Sequence, residues 1–325
     1  VLIMSEFRTI VQPLENQQGL IDHSHPVVML GSCFSDNVGQ RLCDGLFDCI
    51  VNPCGTLYNP ASIANAVLDL LYDRDYTIDD LFQHEGVWHS FSHHSRFSGT
   101  DPDQVLESIN ESADRARKAL SNASAIIVTF GTAYLFRLRE NHRVVANCHK
   151  MPATMFSREM LPADKITGLW RKMVKEITAR YPGMKVVFTV SPIRHLANGA
   201  HGNQISKSTL LLGVDALARE MPESVVYFPA YEIMMDDLRD YRFYTADMTH
   251  PSDVAVDYIY DVFRRSFMTD DTRDLEQQCL KLSRRLKHRH ISATTEAVDG
   301  FEAGTQAMIS ELVAVHPELR HVLHQ

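Results

Sequence analysis

Five short, mainly apolar runs constrain this chain more than any other feature. They span residues 27–30, 47–51, 125–130, 185–190 and 225–228. Each breaks off at small or polar turn residues, and an amphipathic stretch of helical length comes after it. Short apolar runs bounded by turn signals are the pattern of strands buried on both faces. Helices are expected over residues 35–44, 61–72, 103–120, 163–181 and 207–221, with a last one from Ser252 to about Phe267. Strands alternating with helices close into a parallel sheet with right-handed crossovers, so the fold class is α/β.

Two segments interrupt the alternation. Residues 79–100 mix aromatics, histidines and one arginine without a clean period, and read as a long ordered insertion that includes a small hairpin. Residues 134–150 read as a second hairpin, turning at Glu140-Asn141-His142. After residue 268 the composition becomes charged and helical. Residues 1–268 are therefore expected to form the main domain, and residues 269–325 a C-terminal helical hairpin. Residues 5–25 form a lead-in of mixed polarity.

Composition narrows the function classes. A net charge of −9 without a long basic stripe argues against nucleic acid, and the basic residues within 281–290 read as a solvated face. No run approaches the roughly 18–20 apolar residues of a membrane span. The six cysteines lack C-x-x-C spacing and are expected to be reduced thiols. The N-terminal residues lack a signal-peptide pattern, so a cytoplasmic location is expected. Of the 16 histidines, His89, His93 and His94 cluster. Adjacent His93 and His94 would point to opposite faces of a strand, and no carboxylate completes a set, so neither metal nor cofactor is expected.

A polar cluster follows every strand: Ser32, then Asn52 to Gly55, Gly131-Thr132, Ser191 to His195, and finally Asp247 with His250. In a parallel sheet these points share one edge, where ligands bind. Asp247 and His250 have D-x-x-H spacing. That carboxylate can accept the Nδ1–H of the imidazole and leave Nε2 free to take a proton. Ser32, at the turn into a helix, is the first candidate nucleophile, with helix capping as its plainer reading. Cys33 is the rival nucleophile, with buried packing as its plainer reading. The amides of Ser32 and Gly55 are candidate oxyanion donors. His93 and Arg96 are candidates for packing or substrate contact. Arg194 and His195 either hold an anionic substrate group or tie loops together.

Gly31-Ser32-Cys33-Phe34-Ser35 resembles the motif of the GSCFA family, a branch of the SGNH (GDSL-like) hydrolases, with Ser35 where the family usually has alanine. The resemblance extends over about residues 7–265 and includes Asn52-Pro-Cys-Gly55, the block from His89 to Gly99, Asn147-Cys-His-Lys150, Ser191-Pro-Ile-Arg194-His195 and Asp247-Met-Thr-His250-Pro251. It implies a three-layer α/β/α sandwich around a parallel five-stranded, flavodoxin-like sheet. It also implies Ser32 as nucleophile, His250 as base, Asp247 as its orienter and Gly55 in the family's glycine block. Where the wider superfamily carries an oxyanion-donating asparagine after the third strand, this chain has Ala133; Thr132, Asn147 and His149 are the substitutes. The implied activity is hydrolysis of an O-acylated small molecule, glycan or lipid through an acyl-Ser32 intermediate. The alternatives are acyl transfer at the same site and a non-catalytic binding protein on the same fold.

Overall fold

The computed structural model describes residues 8–288 and 295–323, without the side chains of 295–297. The start of the lead-in and the end of the 281–290 stretch lie outside the described residues. The elements that position the site begin with β1 (Val27–Gly31), α1 (Cys33–Asp44), β2 (Cys49–Val51) and α2 (Pro60–Leu71). The first insertion holds β3 (Leu81–His84) and β4 (Val87–Ser90), and α3 (Pro102–Leu120) leads to β5 (Ala125–Phe130). The second insertion holds β6 (Tyr134–Leu138), β7 (Val144–Val145) and β8 (Phe156–Met160). Then come α4 (Ala163–Arg180), β9 (Lys185–Val190), α5 (Gly199–Glu220), β10 (Val225–Phe228), the single turn α6 (Ala230–Glu232) and α7 (Asp253–Phe267).

The central sheet runs β2-β1-β5-β9-β10, with every pairing parallel. This is the flavodoxin-like order, which switches direction between β1 and β5. Side chains alternate across it as the pleat requires. Val28, Leu30, Ile126, Val128 and Phe130 enter the core shared with α2–α5. Val27, Met29, Ala125 and Ile127 face the core of α1 and α7. The result is a three-layer α/β/α sandwich. Helix starts obey local chemistry: Asn59 caps α2, accepting from the Ser62 amide at 2.8 Å, and Pro60 occupies the first turn.

Two elements differ from expectation. The second insertion is a three-stranded sheet ordered β7-β6-β8, in which β6 and β7 form the expected hairpin and β8 adds a further strand. Ser157-Arg158-Glu159 has no apolar alternation to announce a strand, and backbone pairing to β6 makes it one. Helix α5 begins at Gly199, not Lys207. Gly199, Gly202 and Asn203 have the composition of a turn, yet Asn203 and Lys207 sit on the buried face of the helix.

Beyond α7, α8 (Asp270–Leu286) and α9 (Thr295–Val315) form the C-terminal helices. Glu276 of α8 is fully buried and accepts from the Tyr260 hydroxyl at 2.6 Å and from Arg264. Leu46 of the main sandwich packs with Leu275, Cys279, Leu282 and Leu312.

Gly31 ends β1 with φ +147°, and a Cβ there would lie 2.2 Å from the Thr129 carbonyl oxygen. Gly31→Ala is expected to cost more than about 2 kcal/mol in urea unfolding, because strained backbone and a backbone clash add. Gly168→Ala, within α4 and facing open space, is expected to stabilise by about 0.5–1 kcal/mol.

Candidate functional site

The turn from β1 into α1 separates two neighbouring side chains. Ser32 is the N-cap of α1; it is fully buried, and its Oγ accepts from the Phe34 amide at 3.3 Å. Its own N–H donates to the Thr129 carbonyl at 3.2 Å. Cys33, one residue on, is half-buried and walls a cavity of about 350 Å³. Tyr58, Arg158, Arg194, His195 and His250 are among the other residues of that wall, and Ser32 is not. The structure therefore brings Cys33, not Ser32, into the cavity with His250. Ser32, as the N-cap, turns its hydroxyl back onto the helix end, where it accepts from the Phe34 amide.

His250 is held by a self-contained turn. Its Nδ1–H donates to Asp247 Oδ2 at 2.6 Å. Asp247 Oδ1 accepts from the amides of Thr249 (2.8 Å) and His250 (2.9 Å) and from the Thr245 hydroxyl (2.8 Å). These amides, then the imidazole and the hydroxyl, hold the Asp247 carboxyl well below the usual carboxylate range. Among the described residues Nε2 of His250 has no hydrogen-bond partner.

Beneath the cavity lies a residue that sequence reading missed. Lys207 is fully buried and donates from Nζ to the carbonyls of Gly131 (2.6 Å) and Ser191 (2.7 Å), at the ends of β5 and β9. No carboxylate pairs with it among the described residues. Burial pushes its ammonium down to about 7, with a small opposing pull from Cys33. The available signal was the polar run Asn203, Ser206, Lys207 at helical spacing ahead of Leu210, Val214 and Leu217. The Cys33 thiol is raised mainly by burial and by Asp36, while its own amide, Lys207 and the Phe34 amide oppose the rise.

His195 also reaches the cavity. Its ring stands edge-on to Tyr58 at 5.6 Å, and Nε2 is buried without a partner among the described residues. Burial, then the charges of Lys207 and His250, lower it to about 4, so it is neutral at pH 7. Arg194 reaches Met235 Sδ with Nη2 at 3.0 Å.

Other expected site residues are committed elsewhere. The Gly55 amide donates to the Asn52 carbonyl at 2.7 Å, so it offers no free oxyanion donor. Its glycine identity follows from φ +76° and from His94, whose Cβ would meet an added Cβ at 2.2 Å. Asn147 is absent from the cavity wall, and its Oδ1 accepts from the His149 amide. Thr132 does reach the wall, but its hydroxyl hydrogen-bonds Ser206 at 3.1 Å. His93 is buried against Tyr76 and Phe97, bonds Ser90 Oγ, and is lowered to about 3 by burial. His149 donates to the Ser90 carbonyl at 2.8 Å and stacks near His89. Arg96 ties its loop to the Asn52 carbonyl. Arg96 ties the first insertion to the sandwich, His149 ties it to the second insertion, and none of the three is part of the cavity wall. Among the described residues, no group of three or more His, Cys, Asp or Glu is disposed to hold a metal ion.

Residues 26–263 match the GSCFA family. The chain belongs to that family. As a GSCFA protein it carries the naming motif at the β1–α1 turn, with Ser35 bonded to Thr129 Oγ1 at 2.7 Å. No curated protein matches the chain. Among solved structures it is similar to a carbohydrate esterase family 3 protein from Talaromyces cellulolyticus. The identity is 10% and the TM-score 0.35, over 79% of this chain and 99% of that one.

A buried lysine lowered to about 7 is expected to leave a mark on folding. Between pH 7 and its ordinary value near 10.5 the unfolded chain binds the proton that the folded chain releases, so this group makes stability rise with pH. Urea midpoints are expected to climb from pH 6.5 to 9 more steeply in wild type than in Lys207→Met.

Proposed function

We propose that the chain is an acyl-ester hydrolase or acyltransferase whose nucleophile is the Cys33 thiol. The observation that carries the reading is that Cys33 and the Asp247-backed His250 wall one cavity. His250 Nε2 takes the thiol proton, and the sulfur attacks the ester carbonyl carbon. The Cys33 amide, which as the first helical N–H has no partner within the helix, is the nearest oxyanion donor, backed by the positive end of α1. The tetrahedral intermediate collapses by breaking the bond to the alcohol oxygen, which leaves with the proton from His250. A thioester on Cys33 remains. Water, or a second alcohol, gives a proton to His250 and attacks that thioester. The acid or new ester leaves, and the thiol recovers its proton. Lys207 favours the thiolate form by its charge and aligns the Gly131 and Ser191 turns.

A second reading, a ligand-binding protein without turnover, is favoured by one observation. The amides of Ser32 and Gly55 are both spent inside the fold, which leaves few donors for an oxyanion.

Cys33→Ala and His250→Ala are each expected to lower kcat/KM on short p-nitrophenyl esters by at least about a hundredfold. Ser32→Ala removes only a cap worth about 1 kcal/mol and is expected to retain turnover. Iodoacetamide should label Cys33 and abolish activity. A fluorophosphonate adduct on Ser32, with Cys33→Ala still active, would return the nucleophile to serine. Absence of turnover in wild type would favour the binding reading.

A further inference from the structure

We propose that the esters this cavity takes carry an anionic group, a carboxylate or a phosphate, gripped between Arg158 and Arg194. The inference rests on the reading of the cavity as an ester site and names its substrate class. Arg158 and Arg194 both line the cavity, and among the described residues no aspartate or glutamate does. Arg158 lies over the Tyr134 ring, 4.3 Å from its centroid, with Phe136 at 5.6 Å, and donates to Asn198 Oδ1. All three partners are neutral. An arginine held flat on a ring keeps its remaining edge N–H groups for a bidentate acceptor. The neighbouring Glu159 does not neutralise it, because strand alternation turns that carboxylate to the opposite face. There Glu159 pairs with Arg137 at 2.6 Å.

Arg194 lines the same cavity. Its amide donates to the Thr249 carbonyl at 3.2 Å, beside His250, and its guanidinium hydrogen-bonds the Met235 sulfur at 3.0 Å. Buried Lys207, lowered to about 7, adds positive charge while it is protonated. The nearest acid of the catalytic turn, Asp247, is already occupied by four donors. In a chain of net charge −9, a cavity walled by cations without carboxylates concentrates positive potential at one place. The placement also gives the second insertion a purpose, since Arg158 reaches the cavity only because β8 pairs with β6.

Matched ester pairs test this with wild type and variants. p-Nitrophenyl hemisuccinate against p-nitrophenyl butyrate places the charge on the acyl side. 3-O-Acetyl-glycerol 1-phosphate against glycerol monoacetate places it on the alcohol side. In at least one pair the anionic member is expected to be preferred in kcat/KM by about tenfold or more. That ratio should fall toward unity in Arg158→Gln and Arg194→Gln, survive best in Arg158→Lys, and stay unchanged in Arg137→Gln. Titration calorimetry with succinate and inorganic phosphate reads the site without turnover, and the same two variants should weaken binding of one of them about tenfold. Equal handling of charged and neutral esters, with anion binding indifferent to both arginines, overturns the proposal and leaves the thiol mechanism standing. Arginine-dependent anion binding in a protein that turns over no ester supports the anion site and removes the catalytic reading.

Discussion

Everything at the carboxyl edge of the sheet depends on how closely β1 approaches β5 at Gly31. The missing Cβ lets the Thr129 carbonyl sit where a side chain would be, and that carbonyl takes the Ser32 amide. Asn52 completes the joint, accepting from the Gly31 amide at 2.8 Å and donating to Asp36 of α1 at 2.7 Å. The β1–α1 turn is thus tied to the neighbouring strand on one side and to its own helix on the other. Its direction decides which side chain of the Ser32-Cys33 pair enters the cavity.

The two halves of the proposed proton relay are built differently. The Asp247–His250 half is local: one Asx-type turn satisfies the carboxylate with backbone amides and orients the ring. The thiol half is partly tertiary: Asp36 sits on the same helix as Cys33, but the burial and the Lys207 charge that also set its state come from the packing of other elements. Local geometry of the first kind survives in sequence as a spacing; the second kind does not.

The buried ammonium of Lys207 is the costliest feature of the site. Charged groups avoid full burial unless paired, and here two carbonyls serve where a carboxylate would be usual. The same ammonium cross-links the turns after β5 and β9, so a strand-end arrangement and an electrostatic field come from one side chain. Arg194 and Arg158 on the wall give the cavity a sign opposite to that of the chain as a whole.

The parallel sheet and the polar clusters at its carboxyl edge were legible from apolar runs and from the turn residues that end them, because burial on both faces leaves strands little compositional freedom, and the three-layer arrangement came with the family resemblance. The D-x-x-H turn was legible because three residues suffice to build it. Residues in the His89–Gly99 block have site composition, yet His93 is buried and Arg96 bonds the Asn52 carbonyl, and neither is among the residues lining the cavity. What only the tertiary structure decided is which groups share the cavity. Cys33, from a helix start, and Arg158, from an insertion strand, line it, while Lys207 stays buried on a helix face and holds the turns after β5 and β9. Sequence by itself determined the sheet edge at which the polar clusters gather; the occupants of that edge depended on side-chain direction, which packing alone assigns.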